Sequence, residues 1–226
     1  MKTINPLIKL TSIIKDYKSA DIVTKVLKGI SLEIKRGDFI AITGRSGSGK
    51  STLMNILGLL DTPTSGSYIL EEIDVSKFNE DELSDLRNRK IGFIFQSFNL
   101  LPKLTALENV VLPSIYAGMK TKERIERARE LLTKFDLENR LNNRPNQLSG
   151  GQQQKVAIAR SLMNSPEIIL ADEPTGNLDT KSGKELLDII KQLNNDGKTI
   201  IMITHELDIA AQAKKIIKLA DGMLEK

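Results

Sequence analysis

Apolar residues along the chain fall into two spacings. Phe39-Ile40-Ala41-Ile42-Thr43, Ile91-Gly92-Phe93-Ile94-Phe95, the run from Glu167 to Glu173 and the run from Lys198 to Thr204 are apolar nearly throughout. Short continuous runs of this kind predict buried strands. Residues 7–34 and 67–75 alternate instead, with a turn at Arg36-Gly37-Asp38, and predict an antiparallel sheet beside the strand core. From about 98 to 160 the period becomes helical. Within that stretch Thr105-Ala106-Leu107-Glu108 has the capping-box pattern. Ile125, Ala128, Leu131, Leu132 and Phe135 make an apolar stripe on a charged helix, which predicts plain core packing. The chain then returns to strand, helix and strand. Asp221-Gly222, between Ile217-Lys218-Leu219 and Met223-Leu224, predicts a terminal hairpin turn. No internal repeat or low-complexity segment is present.

One junction in this pattern carries chemistry. Between the strand ending at Thr43 and the helix predicted over Thr52 to Leu57 lies Gly44-Arg45-Ser46-Gly47-Ser48-Gly49-Lys50-Ser51. It fits Gly-x4-Gly-Lys-Ser/Thr in the strand–loop–helix context that a phosphate-binding loop needs. The glycines let backbone N–H groups point inward at phosphates. The helix N-terminus adds its positive dipole end. Lys50 supplies a point charge for the β- and γ-phosphates, and the Ser51 hydroxyl suits Mg²⁺. A flexible Gly/Ser turn is the plain alternative. By itself the loop says only that a nucleotide triphosphate is bound.

Three further stretches narrow the chemistry. Leu148-Ser149-Gly150-Gly151-Gln152 opens a helical pattern, with Ser149 as N-cap and Gln152 as its capping-box partner. Taken alone it is equally an ordinary capped helix. The run Glu167-Ile168-Ile169-Leu170-Ala171-Asp172-Glu173 delivers two carboxylates to a strand end, where open parallel sheets bind ligands. Asp172 suits indirect or water-mediated Mg²⁺ binding, and Glu173 suits polarising an attacking water. Solvated acids that merely end a strand are the alternative. His205, the only histidine, follows the strand ending at Thr204. A lone histidine is more often structural or exposed; at a strand end in a phosphate-loop fold it suits a γ-phosphate contact.

Together these residues resemble the nucleotide-binding subunits of ABC transporters over essentially the whole chain. Gly44 to Ser51 match the Walker A motif, Leu148 to Gln152 the family signature, and Ile168 to Glu173 Walker B with its catalytic glutamate. Gln96 looks like the Q-loop glutamine, Asn177-Leu178-Asp179 the D-loop, and His205 the switch histidine. Tyr17 is placed like the aromatic that stacks on adenine; a strand aromatic in a small core is the alternative. Gln96 to Pro102 and Asp172 to Asp179 most resemble the macrolide-exporter and lipoprotein-release ATPases. Lys155 stands where arginine is commoner, and segment 18–25 lacks the usual glycine.

The resemblance implies an α/β fold. Its core is a P-loop NTPase core with an antiparallel β subdomain and an inserted helical subdomain at about 98–160. Residues 1–226 are then a single ABC ATPase domain. It implies ATP and Mg²⁺ as cofactors, with Ser51, Gln96 and Asp172 toward the metal. Tyr17, Gly44 to Thr52, Ser149 to Gln152 and Asp179 serve the nucleotide, and Glu173 and His205 catalysis. Walker A, Walker B and His205 follow core strands and are expected on one face, with the signature too far away to join them. Two copies then pair head to tail, the signature of one covering ATP on the other, and integral membrane permease subunits dock near the Q-loop and the helical region. The expected place is the cytoplasmic face of the cell membrane.

Composition limits the rival classes. The 226 residues are 40% hydrophobic and 27% charged, ordinary for a globular chain. No run approaches the roughly 20 apolar residues of a membrane span, and Met1-Lys2-Thr3-Ile4-Asn5-Pro6 shows no signal-peptide core. The absence of cysteine excludes disulfides and thiolate metal sites, including those of zinc-bearing repair ATPases. Net charge is +4, but Lys and Arg are dispersed, and no nucleic-acid partner is expected. SMC-like ATPases need a long coiled coil and translation-factor ATPases two cassettes, and this chain has neither. Glu173 and His205 argue against a binding-only module. Efflux, lipoprotein release and transmembrane force transmission all fit. So does an ATPase that regulates a cell-wall or division membrane complex without moving solute. Phe98, Leu100, Leu101 and Leu104 crowd a loop broken by Pro102, which predicts a docking surface; covering the helical core is the alternative.

Overall fold

The computed structural model describes residues 5–19 and 22–225. The reading of the first residues as leader-free falls mostly on 1–4, and the glycine-poor segment includes 20 and 21; these lie outside the described residues. Along the chain come β1 (Ile8–Ser19), β2 (Ile22–Ile34), β3 (Phe39–Thr43), α1 (Lys50–Leu57), β4 (Ser65–Leu70) and β5 (Ile73–Asp74). There follow α2 (Glu80–Lys90), β6 (Ile91–Phe95), α3 (Ala106–Tyr116), α4 (Thr121–Lys134), α5 (Gly150–Ser161) and β7 (Ile168–Asp172). The last elements are α6 (Thr180–Asn195), β8 (Thr199–Ile203), α7 (Leu207–Ala210), β9 (Lys215–Ala220) and β10 (Met223–Leu224). No helix among the described residues is long and apolar enough to cross a membrane.

The chain forms two compact units. One runs to Ser84 and resumes at Gly197; the other is Asp85–Asp196. In the first, β3 pairs in parallel with β8 and with β9. Every residue of β3 and β8 is buried, as strands covered on both faces must be, which is why their sequences do not alternate. The antiparallel sheet runs β2-β1-β4-β5. Its long strands bend at bulges near Ser12, which takes φ 49°. The β9–β10 hairpin turns at Asp221 and Gly222, both at positive φ, as a two-residue turn requires.

In the second unit β6 and β7 pair in parallel, Ile91 opposite Ile168 and Phe95 opposite Asp172. Between 98 and 160 the α-helical elements are α3, α4 and α5. The Thr105/Glu108 capping box is formed: the Glu108 N–H donates to Thr105 Oγ1 at 3.2 Å, and the Thr105 N–H to Glu108 Oε2 at 2.8 Å. Of the α4 stripe, Ala128, Leu132 and Phe135 are buried and Ile125 and Leu131 half-buried, so it packs into this unit's core.

Candidate functional site

In the first unit the chemistry gathers where β3 and β8 end. β3 gives way to the glycine-rich loop, and α1 starts at Lys50 with Gly49 as N-cap at φ 102°. A side chain at Gly49 would be strained there. Gly44 is confined differently: a Cβ would fall 2.2 Å from the Leu219 carbonyl oxygen. The Lys50 ammonium donates to the carbonyls of Gly44 and Arg45 at 2.8 and 2.9 Å, which sets it across the loop. Arg45, Ser46, Gly47 and Ser51 are exposed, Thr52 is half-buried, and Ser48 Oγ is buried with no partner among the described residues. An ammonium, a helix N-terminus and an unpaired hydroxyl in one loop suit a polyanion.

His205 lies two residues beyond β8 and is exposed. The Thr204 N–H donates to the Ile42 carbonyl at 3.2 Å, which ties the exit of β8 to the strand feeding the loop. The structure thus brings the loop and His205 to the same end of adjacent strands.

Tyr17 is on β1 and is 42% exposed, not in a small core. Its hydroxyl donates to Asp61 Oδ2 at 2.8 Å, and Lys15 Nζ stands 4.9 Å from the ring centroid. Lys15 also donates to Asp61 Oδ1 at 2.5 Å. Burial opposes charge on Asp61, but the hydrogen bonds from Lys15 and Tyr17 outweigh it and hold the carboxyl below its ordinary range. Burial, then the Asp61 bond, pushes the Tyr17 phenol up, so it stays neutral.

In the second unit the β6–β7 register places Gln96 and Glu173 at the same edge, one residue past Phe95 and Asp172. Glu173 has φ 41°, the left-handed region, where a non-glycine residue is strained. The Gln96 side chain packs on Gly176, where an added Cβ would lie 2.5 Å from Gln96 Nε2. Asn177 Nδ2 donates to the Gln96 carbonyl at 3.1 Å. Asp179 caps α6, accepting from the Ser182 N–H at 2.9 Å and from Ser182 Oγ at 2.8 Å. The bond from the Ser182 N–H, then that from its hydroxyl, lowers the Asp179 pKa.

The signature segment starts α5. The Gln152 N–H donates to Ser149 Oγ at 3.3 Å, and the Ser149 N–H to Gln152 Oε1 at 3.0 Å. Gly150 and Gly151 occupy the first turn, whose N–H groups have no intrahelical acceptor. Lys155 lies 3.8 Å from Asp136 and 3.9 Å from Glu185. No cluster of three or more His, Cys, Asp or Glu able to hold a metal occurs among the described residues. Ser51, Gln96 and Asp172 are hard oxygen donors of the type Mg²⁺ accepts.

The motifs did not expose three polar side chains of this unit. Asn109 and Gln154 are buried; Asn109 bonds the carbonyls of Leu101 and Leu104 in the loop before its helix, Gln154 that of Pro174, and Arg160 reaches that of Phe98 from the end of α5. The available signal was polarity at an apolar helical position: Gln154 lies three and four residues before Ala157 and Ile158.

Of Phe98, Leu100, Leu101 and Leu104, only Leu101 is exposed, at 48%. The other three are half-buried, so the segment divides between surface and cover.

Comparison with known proteins bears on the family and the fold. A profile of the ABC transporter family matches residues 27–176. The chain is 57% identical over 216 residues to a macrolide export ATP-binding/permease protein of Campylobacter fetus, covering 96% of this chain and 34% of that one. It thus spans about a third of the length of several relatives it matches. An ABC transporter ATP-binding protein of Thermotoga maritima is 52% identical over 217 residues, covering 96% and 93%. Among solved structures, a dimeric ATP-binding cassette in a post-hydrolysis state with ADP and Pi superposes with a TM-score of 0.88 at 49% identity, covering 97% of each chain. The chain belongs to the ABC transporter family, and its fold is that of the family's ATP-hydrolysing cassettes.

Proposed function

We propose that residues 1–226 form one cassette that hydrolyses ATP as a head-to-tail homodimer and drives a membrane complex. The observation that carries this reading is the glycine loop between β3 and α1, with the Lys50 ammonium set across its carbonyls beside the exit of His205. Lys50 and the N–H groups of the loop hold the β- and γ-phosphates, Tyr17 offers a ring face to adenine, and Thr52 and Asp179 contribute to the nucleotide site. Ser51, Gln96 and Asp172 would hold Mg²⁺, which when bound neutralises charge developing on phosphate oxygens. Glu173 orients the attacking water and accepts its proton, and His205 contacts the γ-phosphate.

Ser149, Gly150, Gly151 and Gln152 of one copy cover the ATP of the other. Their capped helix start supplies N–H groups and a dipole to an anion. The dimeric state of the solved relative supports this pairing. The relatives named for macrolide export carry ATP-binding and permease parts in one protein, which supports a permease partner at the cytoplasmic face of the cell membrane. Efflux follows that likeness; regulation of a cell-wall complex without transport is the second reading.

Glu173→Gln tests the site. It should retain ATP binding, lose hydrolysis, and convert from monomer to dimer on a sizing column with ATP and Mg²⁺. Hydrolysis at the unaltered protein's rate would refute the assignment.

A further inference from the structure

Helix α5 carries Ser149 at its start and Gln154 in its second turn. Gln154 is 1% exposed and shares its face with the buried Ala157, Ile158 and Ser161. Its Nε2 donates to the Pro174 carbonyl at 2.9 Å, while its Oε1 has no partner among the described residues. An amide buried with half its hydrogen-bonding capacity unused is a poor stabiliser. Its value lies in what it grips.

The grip falls on the residue after Glu173. That glutamate holds a left-handed backbone which L-residues avoid. The Gly176 N–H donates to the Glu173 carbonyl at 3.0 Å and fixes one side of the turn. On the other side Pro174 is buried and has no N–H, so its carbonyl is the one hydrogen-bonding backbone group it offers. Gln154 takes it.

We propose that Gln154 is a positioning residue for the Glu173 carboxylate. By holding the Pro174 carbonyl it keeps the strained turn in the conformation that aims Glu173. The proposal rests on the role for Glu173 given above. Gln154 also joins the helix opened by Ser149 to the turn that carries Glu173, so both belong to one rigid connection.

The test uses the full chain with Gln154→Met and Gln154→Leu, which keep bulk and remove the donor. Steady-state kinetics, equilibrium ATP binding and thermal melting are measured. The expected result is a fall in kcat of about tenfold, the weight of one hydrogen bond, with KM and ATP affinity unchanged and the Met variant folded, its melting temperature lowered by no more than the loss of that one bond accounts for. Gln154→Met in a Glu173→Gln background should lower the residual rate no further, because coupled residues are not additive. The proposal is overturned by an unchanged kcat, by a loss confined to KM, or by an equal loss in both backgrounds. Unfolding of both variants would make Gln154 a folding residue and overturn it too. If Glu173→Gln alone left hydrolysis intact, the site reading would fail instead, whatever Gln154 does.

Discussion

Arg160 Nη2 donates to the backbone carbonyl of Phe98 at 2.8 Å, from the end of α5 to the loop that follows Gln96. A second guanidinium nitrogen takes the Asn99 carbonyl. Phe98 and Asn99 have φ 59° and 49°, two consecutive left-handed residues that the chain would not adopt unaided. Farther along, Asn109 accepts from the Leu101 N–H and donates to the carbonyls of Leu101, Leu104 and Thr105. The loop is clamped at both ends.

Removing the first clamp should loosen it. Arg160→Ala should cost about 2 kcal/mol, the range for hydrogen bonds to a charged group, and open residues 97–104 to limited proteolysis. Arg160→Lys should recover only part, since an ammonium lacks the planar fork that reaches two carbonyls. Thermal melting and cleavage mapping check both; an uncleaved, fully stable Ala variant would show that the loop holds itself.

The same loop separates docking from packing. Leu101→Glu changes an exposed side chain and should leave stability within about 0.5 kcal/mol, while recovery of the protein in the membrane fraction of its own cells drops. Phe98→Glu puts a charge into a half-buried, strained position and should lower the melting temperature clearly. Equal destabilisation by the two would place Leu101 in the core and remove the docking role.

Two lesions should act on different halves of one composite site. Lys50→Ala should abolish nucleotide binding. Ser149→Arg should preserve binding by the single chain and prevent ATP-dependent dimerisation. A mixture of the two can assemble one intact site at most, so its hydrolysis should stay below half that of the unaltered protein. Loss of ATP affinity in monomeric Ser149→Arg would mean that the signature acts on its own nucleotide, contrary to head-to-tail pairing.

Acid should weaken the corner around Tyr17. The folded pKa of Asp61 is depressed, with the bonds from Lys15 and Tyr17 outweighing burial. A depressed carboxylate contributes stability above its unfolded pKa, near 3.9, and loses it as pH falls through the folded value. Asp61→Asn should therefore flatten the decline of melting temperature below about pH 4 relative to the unaltered chain. Identical slopes would show that this carboxylate is not linked to folding.

The contiguous motifs were legible because their chemistry is local. Gly44 to Gly49 form a loop by their own backbone freedom before α1 starts at Lys50, and Ser149 and Gln152 cap each other within one helical turn. The buried strands were legible from unbroken apolar runs, since a strand covered on both faces has no polar side to show. Pattern alone therefore determined the buried strands, the helical stretch and the candidate phosphate loop, and the resemblance those motifs carry implied the α/β class. Tertiary structure decided what the polar side chains of the helices do. Arg160 meets Phe98 across 62 positions of sequence and Gln154 meets Pro174 across 20. Such bonds exist only after distant segments pack, because a buried donor accepts whichever carbonyl the fold brings to it. The left-handed backbone of Glu173 belongs to the same class: local preference opposes it, and only the packed turn around it holds it there.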